Sequence, residues 1–324
     1  MRSVVAAAAA LALLAAGCGG SGPSDSRREA TLVLDFTPNA VHAGIYTMLS
    51  RDYDGAESTD LTVREPSSST DSVKLLLARR ADFAILDIHD LAIAREKGRD
   101  VVGVMALVQT PLAAILVRPG PRRPTELEGR RVGISGLPSD TAVLRSVVSG
   151  DGGNPDRVRR VTIGFNAVPA LLSKRVDGVV AFWNAEGVAL RARRPDIREF
   201  RVDRYGAPPY PELVLCVARE TLQDEPGLVR RVVAAIRRGY EEALADPESA
   251  VSALVDAVPG LKRELVAREL EAVQPSFTSG VRRFGQLDRA RLRAWAAWEQ
   301  RFGIVKTRPA VDQAFATAVS SPGD

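Results

Sequence analysis

Cysteine and histidine are scarce, with two of each in 324 residues. Two cysteines cannot build a disulfide framework, and no clustered Cys/His spacing of a metal site is present. His42 and His89 could meet in space beside Asp87 or Asp90, but nothing in the spacing demands a metal there. The chain also lacks a G-x-S-x-G elbow, a phosphate-binding P-loop and an H-E-x-x-H pair. Neither a catalytic residue nor a cofactor is therefore expected. Excess charge is absent too: the net charge is +4, and the basic runs Arg122-Arg123 and Arg191–Arg194 are interspersed with Pro and Ala. Without a stripe of basic and aromatic residues, nucleic acid is not an expected partner. A hydrophobic content of 45% and a charged content of 26% suit a soluble globular protein, long enough for one large domain or two lobes.

The chain opens with "MRSVVAAAAALALLAAGC", in which one basic residue precedes an apolar run ending at Ala16. That run is too short to span a bilayer comfortably. Small residues before Cys18 resemble a bacterial lipobox, in which the signal is cut ahead of a lipidated cysteine. The alternative is a plain secretory signal with an incidental cysteine. The expectation is a signal peptide over 1–17 and lipidation at Cys18. The Gly/Ser/Pro-rich segment 18–30 becomes a flexible tether holding the protein outside the cell membrane. Cys216, inside "ELVLCVA", reads as a buried small hydrophobe.

After the tether, short apolar runs alternate with helical patterns. "TLVLDF", "LTVREP" and "ADFAILDI" read as strands, "AVHAGIYTMLS" and "SSTDSVKLLLARR" as helices. This alternation predicts an α/β protein with parallel sheets covered by helices. A second strand–turn–helix opening follows at "GRRVGISG" and "LPSD". "AVPALLSKRVDGVVAFW" matches "SVKLLLARRADFAILDI" at a shift of 95 residues, pairing Leu76 with Leu171, Arg79 with Lys174 and Asp82 with Asp177. Two similar lobes are expected. The last third, from Thr221 to Ala294, is mostly helical, and Trp295 and Trp298 read as core.

In parallel α/β sheets ligands gather at the carboxyl ends of strands. Four segments lie at such ends: Asp35–Asn39, Asp87–Asp90, Ser135–Asp140 and Phe182–Glu186. Facing one another, they would line one cleft, with Asp87 and Ser139 at its wall. Phe36 and Trp183, with Tyr46, offer flat apolar faces for a planar ring. Asn39, His42, Asn184 and Glu186 offer donors and acceptors. The turn before the helix at Ser135–Asp140 could hold an anionic or carbonyl group on free amides. Glu186 suits the amine and ring nitrogen of an aminopyrimidine. His42 reads as a ligand contact or a satisfied cleft-wall residue.

"LDFTPNAVHAGIY" resembles the D-W-T-P-N-x-x-H-A-G-[IL]-Y opening of extracytoplasmic solute-binding proteins for thiamine pyrimidine precursors. "FWNAEGVAL" and "YGAPPYPELVL" resemble second-lobe signatures of the same group, and the resemblance runs from about Thr31 to Ala250. It implies a type II periplasmic-binding-protein fold. Lobe 1 would comprise 31–111 and 212–324, lobe 2 would comprise 112–211, and two crossovers would join them. It also implies ligand contacts at Phe36, Asn39, His42, Tyr46, Trp183, Asn184, Glu186 and Tyr205. The partners implied are a small planar heterocycle and an ABC permease, served by a monomer whose lobes close on ligand. Phe36 replaces the usual tryptophan and removes an indole donor. Riboflavin is the nearest rival ligand, with sulfonate- or nitrate-type solutes behind it. The same superfamily contains fungal enzymes that build the thiamine pyrimidine, but their cysteine-rich run is missing near "YGAPPYPELVLC". A sensor or scaffold of the same fold is a third reading.

Overall fold

The computed structural model describes residues 27–68 and 70–320; the signal-like segment and Cys18 lie outside the described residues. Ten strands form two five-stranded sheets. The first holds β1 (Arg28–Val33), β2 (Thr59–Arg64), β3 (Phe83–Asp87), β4 (Val101–Ala106) and β10 (Leu213–Ala218), in the order β2-β1-β3-β10-β4. The second holds β5 (Ala113–Val117), β6 (Arg131–Ile134), β7 (Arg159–Thr162), β8 (Gly178–Phe182) and β9 (Arg198–Arg201), in the order β7-β6-β8-β5-β9. Each sheet has four strands running one way, and each receives one antiparallel strand after a crossing from the other sheet. That strand is β10 in the first sheet, against β3 and β4, and β5 in the second, against β8 and β9. This is an α/β, two-lobe fold of the periplasmic-binding-protein type.

The internal repeat is geometric as well as textual. β3 (Phe83–Asp87) and β8 (Gly178–Phe182) are offset by 95 residues at both ends. The helices before them, Asp71–Leu77 and Ala167–Leu172, are each followed by a basic residue in the left-handed conformation, Arg79 (φ 56°) and Lys174 (φ 64°). Asp82 accepts a hydrogen bond from the Thr31 N–H, and Asp177 accepts one from the Arg131 N–H, so each carboxylate pins the neighbouring parallel strand.

Burial follows strand position. β5, flanked by β8 and β9, is buried at every residue, as expected for a strand covered on both faces. β4 lies at a sheet edge yet is also buried throughout. The returning C-terminal chain covers that edge, with Ala316 N–H bonding Gly103 O and Ala106 N–H bonding Gly285 O. Trp295 and Trp298 are buried, as expected, and so is Cys216 in β10.

The C-terminal helices also hold the first site segment in place. Helix Pro226–Ala245 buries a stripe at three- and four-residue spacing that includes Val229, Val232, Ile236 and Tyr240. Helix Ala43–Ser50 lies directly on it. A Cβ on Gly44 would come 2.3 Å from the Tyr240 ring, and one on Gly239 would come 2.2 Å from the Gly44 carbonyl oxygen. The two helices thus meet backbone to backbone, and the Tyr240 hydroxyl donates to Val41 O at 2.7 Å. Small residues in "HAG" serve this close approach. Among the described residues no helix is long and apolar enough to cross a membrane.

Candidate functional site

A cleft of ≈ 800 Å³, partly continuous with solvent, lies where the strand ends of the two sheets converge. All four segments singled out at strand ends contribute to its wall, through Phe36, Asp87, Ser139 and Glu186 among others. Two further segments join them, Ser72-Val73 at the start of a helix and Gly164–Ala167 after β7. The repeat carried a signal for this pair, because the 95-residue shift sets Ala167 opposite Ser72.

The walls are aromatic and acidic. Phe36 from the first lobe meets Phe165 from the second edge to face, with ring centroids 4.5 Å apart at 76°. Phe182, the last residue of β8, adds a third ring. Glu186 opens helix Glu186–Arg193, and its Oε2 accepts the Phe182 N–H at 3.2 Å. Burial pushes its carboxyl up to about 7, with Asp140 and Asp35 reinforcing the shift. Asp140 sits in the first turn of helix Pro138–Gly150. Burial raises it to about 6, against hydrogen bonds that favour its charged form. Those bonds come from Ser135, whose N–H and Oγ–H both donate to Asp140 Oδ2 at 2.6 Å, and from the Gly136 and Leu137 amides. Of the amides expected to hold a ligand's anionic or carbonyl group, those of Ser135, Gly136 and Leu137 are therefore engaged by the protein's own carboxylate. Asp90 is pushed up to about 7 by burial and by Asp140, while the Ser139 hydroxyl bonds it.

Asn39 and His42 form a reciprocal cap. Asn39 Oδ1 accepts the Val41 N–H at 2.9 Å, and His42 Nδ1 accepts the Asn39 N–H at 3.2 Å. Because Nδ1 accepts, the ring hydrogen sits on Nε2, which donates to Asp35 Oδ1 at 2.9 Å. Asn39 and Asp35 line the cleft; His42 does not, being fully buried behind them. It positions Asp35.

Four other expected contacts are placed outside the cleft lining. Tyr46 is buried in the core of the first lobe, where burial and Glu65 push its hydroxyl up to about 12. Trp183 directs its Nε1–H to Pro111 O at 3.0 Å, its N–H to Leu112 O at 3.0 Å, and its ring to the Arg201 guanidinium 4.0 Å away. It anchors the crossover between β4 and β5. Asn184 is fully buried, with no partner for either side-chain amide atom. Tyr205 packs against Phe200 and beside Gly150, at the C-terminal end of helix Pro138–Gly150. The opposite end of that helix meets the cleft, and a helix of this length spans about 20 Å.

His89 belongs to a different cluster from His42. Its ring reaches Glu299 through Nδ1 and the Tyr210 hydroxyl through Nε2 at 3.1 Å. Burial alone would lower its pKa, but Glu299 and Asp87 outweigh that and raise it to about 10. Asp87, His89 and Glu212 have potential metal-ligating atoms within 4.8 Å of one another. Both ring nitrogens are already engaged, and the imidazolium itself supplies the positive charge these carboxylates need. Asp87 also caps helix Ile88–Glu96 by accepting the His89 N–H at 2.8 Å. Glu212 has one role visible elsewhere: Oε2 accepts the Leu112 N–H at 2.6 Å, joining the two crossovers.

Residues 39–250 match the NMT1/THI5 like family. The chain is 31% identical over 249 residues to the formylaminopyrimidine-binding protein of Halalkalibacterium halodurans, covering 75% of each chain. It is 23% identical over 270 residues to the 4-amino-5-hydroxymethyl-2-methylpyrimidine phosphate synthase THI11 of Saccharomyces cerevisiae, covering 79% of each. Among solved structures, the alkanesulfonate-binding protein SsuA of Xanthomonas axonopodis pv. citri, bound to MOPS, superposes with a TM-score of 0.72. That match covers 89% of this chain and 98% of the other at 15% identity, a likeness of fold. With more than half of its length matched, the chain belongs to the NMT1/THI5-like family.

Proposed function

We propose that this protein is the extracytoplasmic solute-binding component of an ABC importer, anchored by lipid at Cys18, and that it binds an aminopyrimidine precursor of thiamine. The observation that carries this reading is the cleft itself: three phenyl rings around a slot with the Glu186 carboxyl on its wall. A planar ring slides between aromatic faces, and a carboxyl can pair at once with a ring nitrogen and an exocyclic amine. The formylaminopyrimidine-binding relative supports the same ligand class. Lobe 1 (31–111 and 212–324) and lobe 2 (112–211) would close over the ligand, and the permease would read the closed form of a monomer. We take the contacts to be Phe36, Asn39, Asp87, Ser139 and Glu186, joined by Phe165 and Phe182.

The synthase relatives raise an enzymatic alternative. Against it, both histidines are fully buried and engaged by neighbouring side chains, and neither lines the cleft. We read the protein as a binder, with no bond made or broken. The test is mass spectrometry of ligand released from protein purified from its native host. An unmodified aminopyrimidine is the expected mass; a flavin, a sulfonate or a turnover product would contradict the assignment.

A further inference from the structure

The cleft wall carries five carboxylates, Asp35, Asp87, Asp90, Asp140 and Glu186, and no lysine, arginine or histidine. Two helix N-termini face it, Ile88–Glu96 and Pro138–Gly150, and such ends ordinarily favour anions. Asp87 caps the first through the His89 N–H, and Asp140 takes the Ser135 N–H and hydroxyl in the turn before the second, so a carboxyl of the chain sits at each end. A phosphate or sulfonate entering the cleft would find no basic side chain on its wall, and it would meet carboxyl groups on several sides. The aromatic rings add to the preference, since their negative faces attract cations.

We infer that the cleft takes its heterocycle with a bound proton, as an aminopyrimidinium paired with the Glu186 carboxylate, and rejects phosphorylated or sulfonated ligands. This inference rests on the aminopyrimidine reading and adds the charge state to it. The groups facing Glu186 are Asp35 after β1, Asp140 in helix Pro138–Gly150 and Glu269 in helix Arg263–Val273, and all are acids. None supplies a countercharge to Glu186, and the His89 imidazolium behind the wall is taken up by Glu299 and Asp87, which leaves the ligand as the source. Burial, with the neighbouring acids reinforcing it, also pushes Glu186 and Glu269 up to about 7. A protonated ring nitrogen removes the repulsion that the empty cleft carries.

The test is calorimetry of the mature protein at pH 8 in two buffers of different ionisation enthalpy. The probes are 4-amino-5-hydroxymethyl-2-methylpyrimidine, its monophosphate, benzamidine and benzenesulfonate. The free pyrimidine should bind with uptake of close to one proton per ligand, and its affinity should fall toward tenfold per pH unit above pH 7. The monophosphate should bind at least 100-fold more weakly. Benzamidine, already a cation, should bind without proton uptake, and benzenesulfonate should not bind. In Glu186→Gln, checked for an intact melting transition, proton uptake by the pyrimidine should vanish. Binding of the monophosphate or of benzenesulfonate as tightly as the matching cation would overturn the inference, as would pyrimidine binding without proton uptake. Loss of both pyrimidines with benzamidine retained would remove the pyrimidine reading and leave the charge preference standing. If neither benzamidine nor the free pyrimidine binds, the inference falls.

Discussion

Glu186 and His42 show how the polar residues singled out in the sequence divide between the cleft wall and its support. Glu186 reaches the cleft with its carboxyl raised to about 7 by burial. A folded-state value above the usual carboxylate range means the folded protein holds that proton more tightly than the unfolded chain. Its contribution to stability is therefore favourable at low pH and is lost as pH rises from about 4.5 to 7. Glu269 and Asp90, each raised to about 7, act in the same direction. Thermal melts of the ligand-free protein should show a lower Tm at pH 8 than at pH 5, and Glu186→Gln should narrow that gap. A gap unchanged by the substitution would show that Glu186 is not buried as described. His42 was legible as special because histidine is rare, but its role was not. A ring accepting from Asn39 and donating to Asp35 depends on backbone geometry that spacing does not reveal. Trp183 illustrates the same limit. It follows Phe182 directly, successive strand residues face opposite ways, and only the fold decides which ring meets the cleft.

At the scale of elements, the two crossovers are the most consequential feature that sequence reading left indistinct. "VVGVMALVQTPLAAILV" reads as nearly continuous apolar chain, yet it contains β4, the first crossover and β5. Glu212 locks that crossover to the returning one. Its Oε2 accepts the Leu112 N–H, its backbone N–H bonds Val108 O, and its carbonyl accepts the Ile88 N–H. Glu212→Ala leaves the Leu112 amide without its acceptor and should cost about 1–3 kcal/mol, read from denaturant unfolding. Glu212→Gln keeps a carbonyl acceptor and should cost clearly less. Equal losses would mean that the charge, and not the hydrogen bond to the crossover, matters. The repeat was more legible because it rests on local rules. A short helix, a basic residue after it and an aspartate before the strand recur at one offset. β7 and the Phe165 segment were harder to read, since "RRVT" is short, charged and half exposed at a sheet edge.

For the whole molecule, the alternation of strands and helices was enough to expect two α/β lobes, and the sheets bear this out. A cleft between two sheets joined by paired crossovers is the arrangement in which lobe closure can trap a ligand. The proposed lipid anchor is tested separately. In the native host the wild-type protein should incorporate labelled fatty acid, and Cys18→Ser should not. Equal incorporation by the two, or none by either, would contradict lipidation at that position. The central claim is that the cleft binds an aminopyrimidine and leaves it unchanged. Calorimetric titration of the purified protein with 4-amino-5-hydroxymethyl-2-methylpyrimidine, followed by recovery of the ligand, tests this most directly. One-to-one binding, at least tenfold weaker in Glu186→Gln, with ligand recovered intact, is the predicted result. No saturable binding, or recovery of a chemically altered pyrimidine, would contradict it.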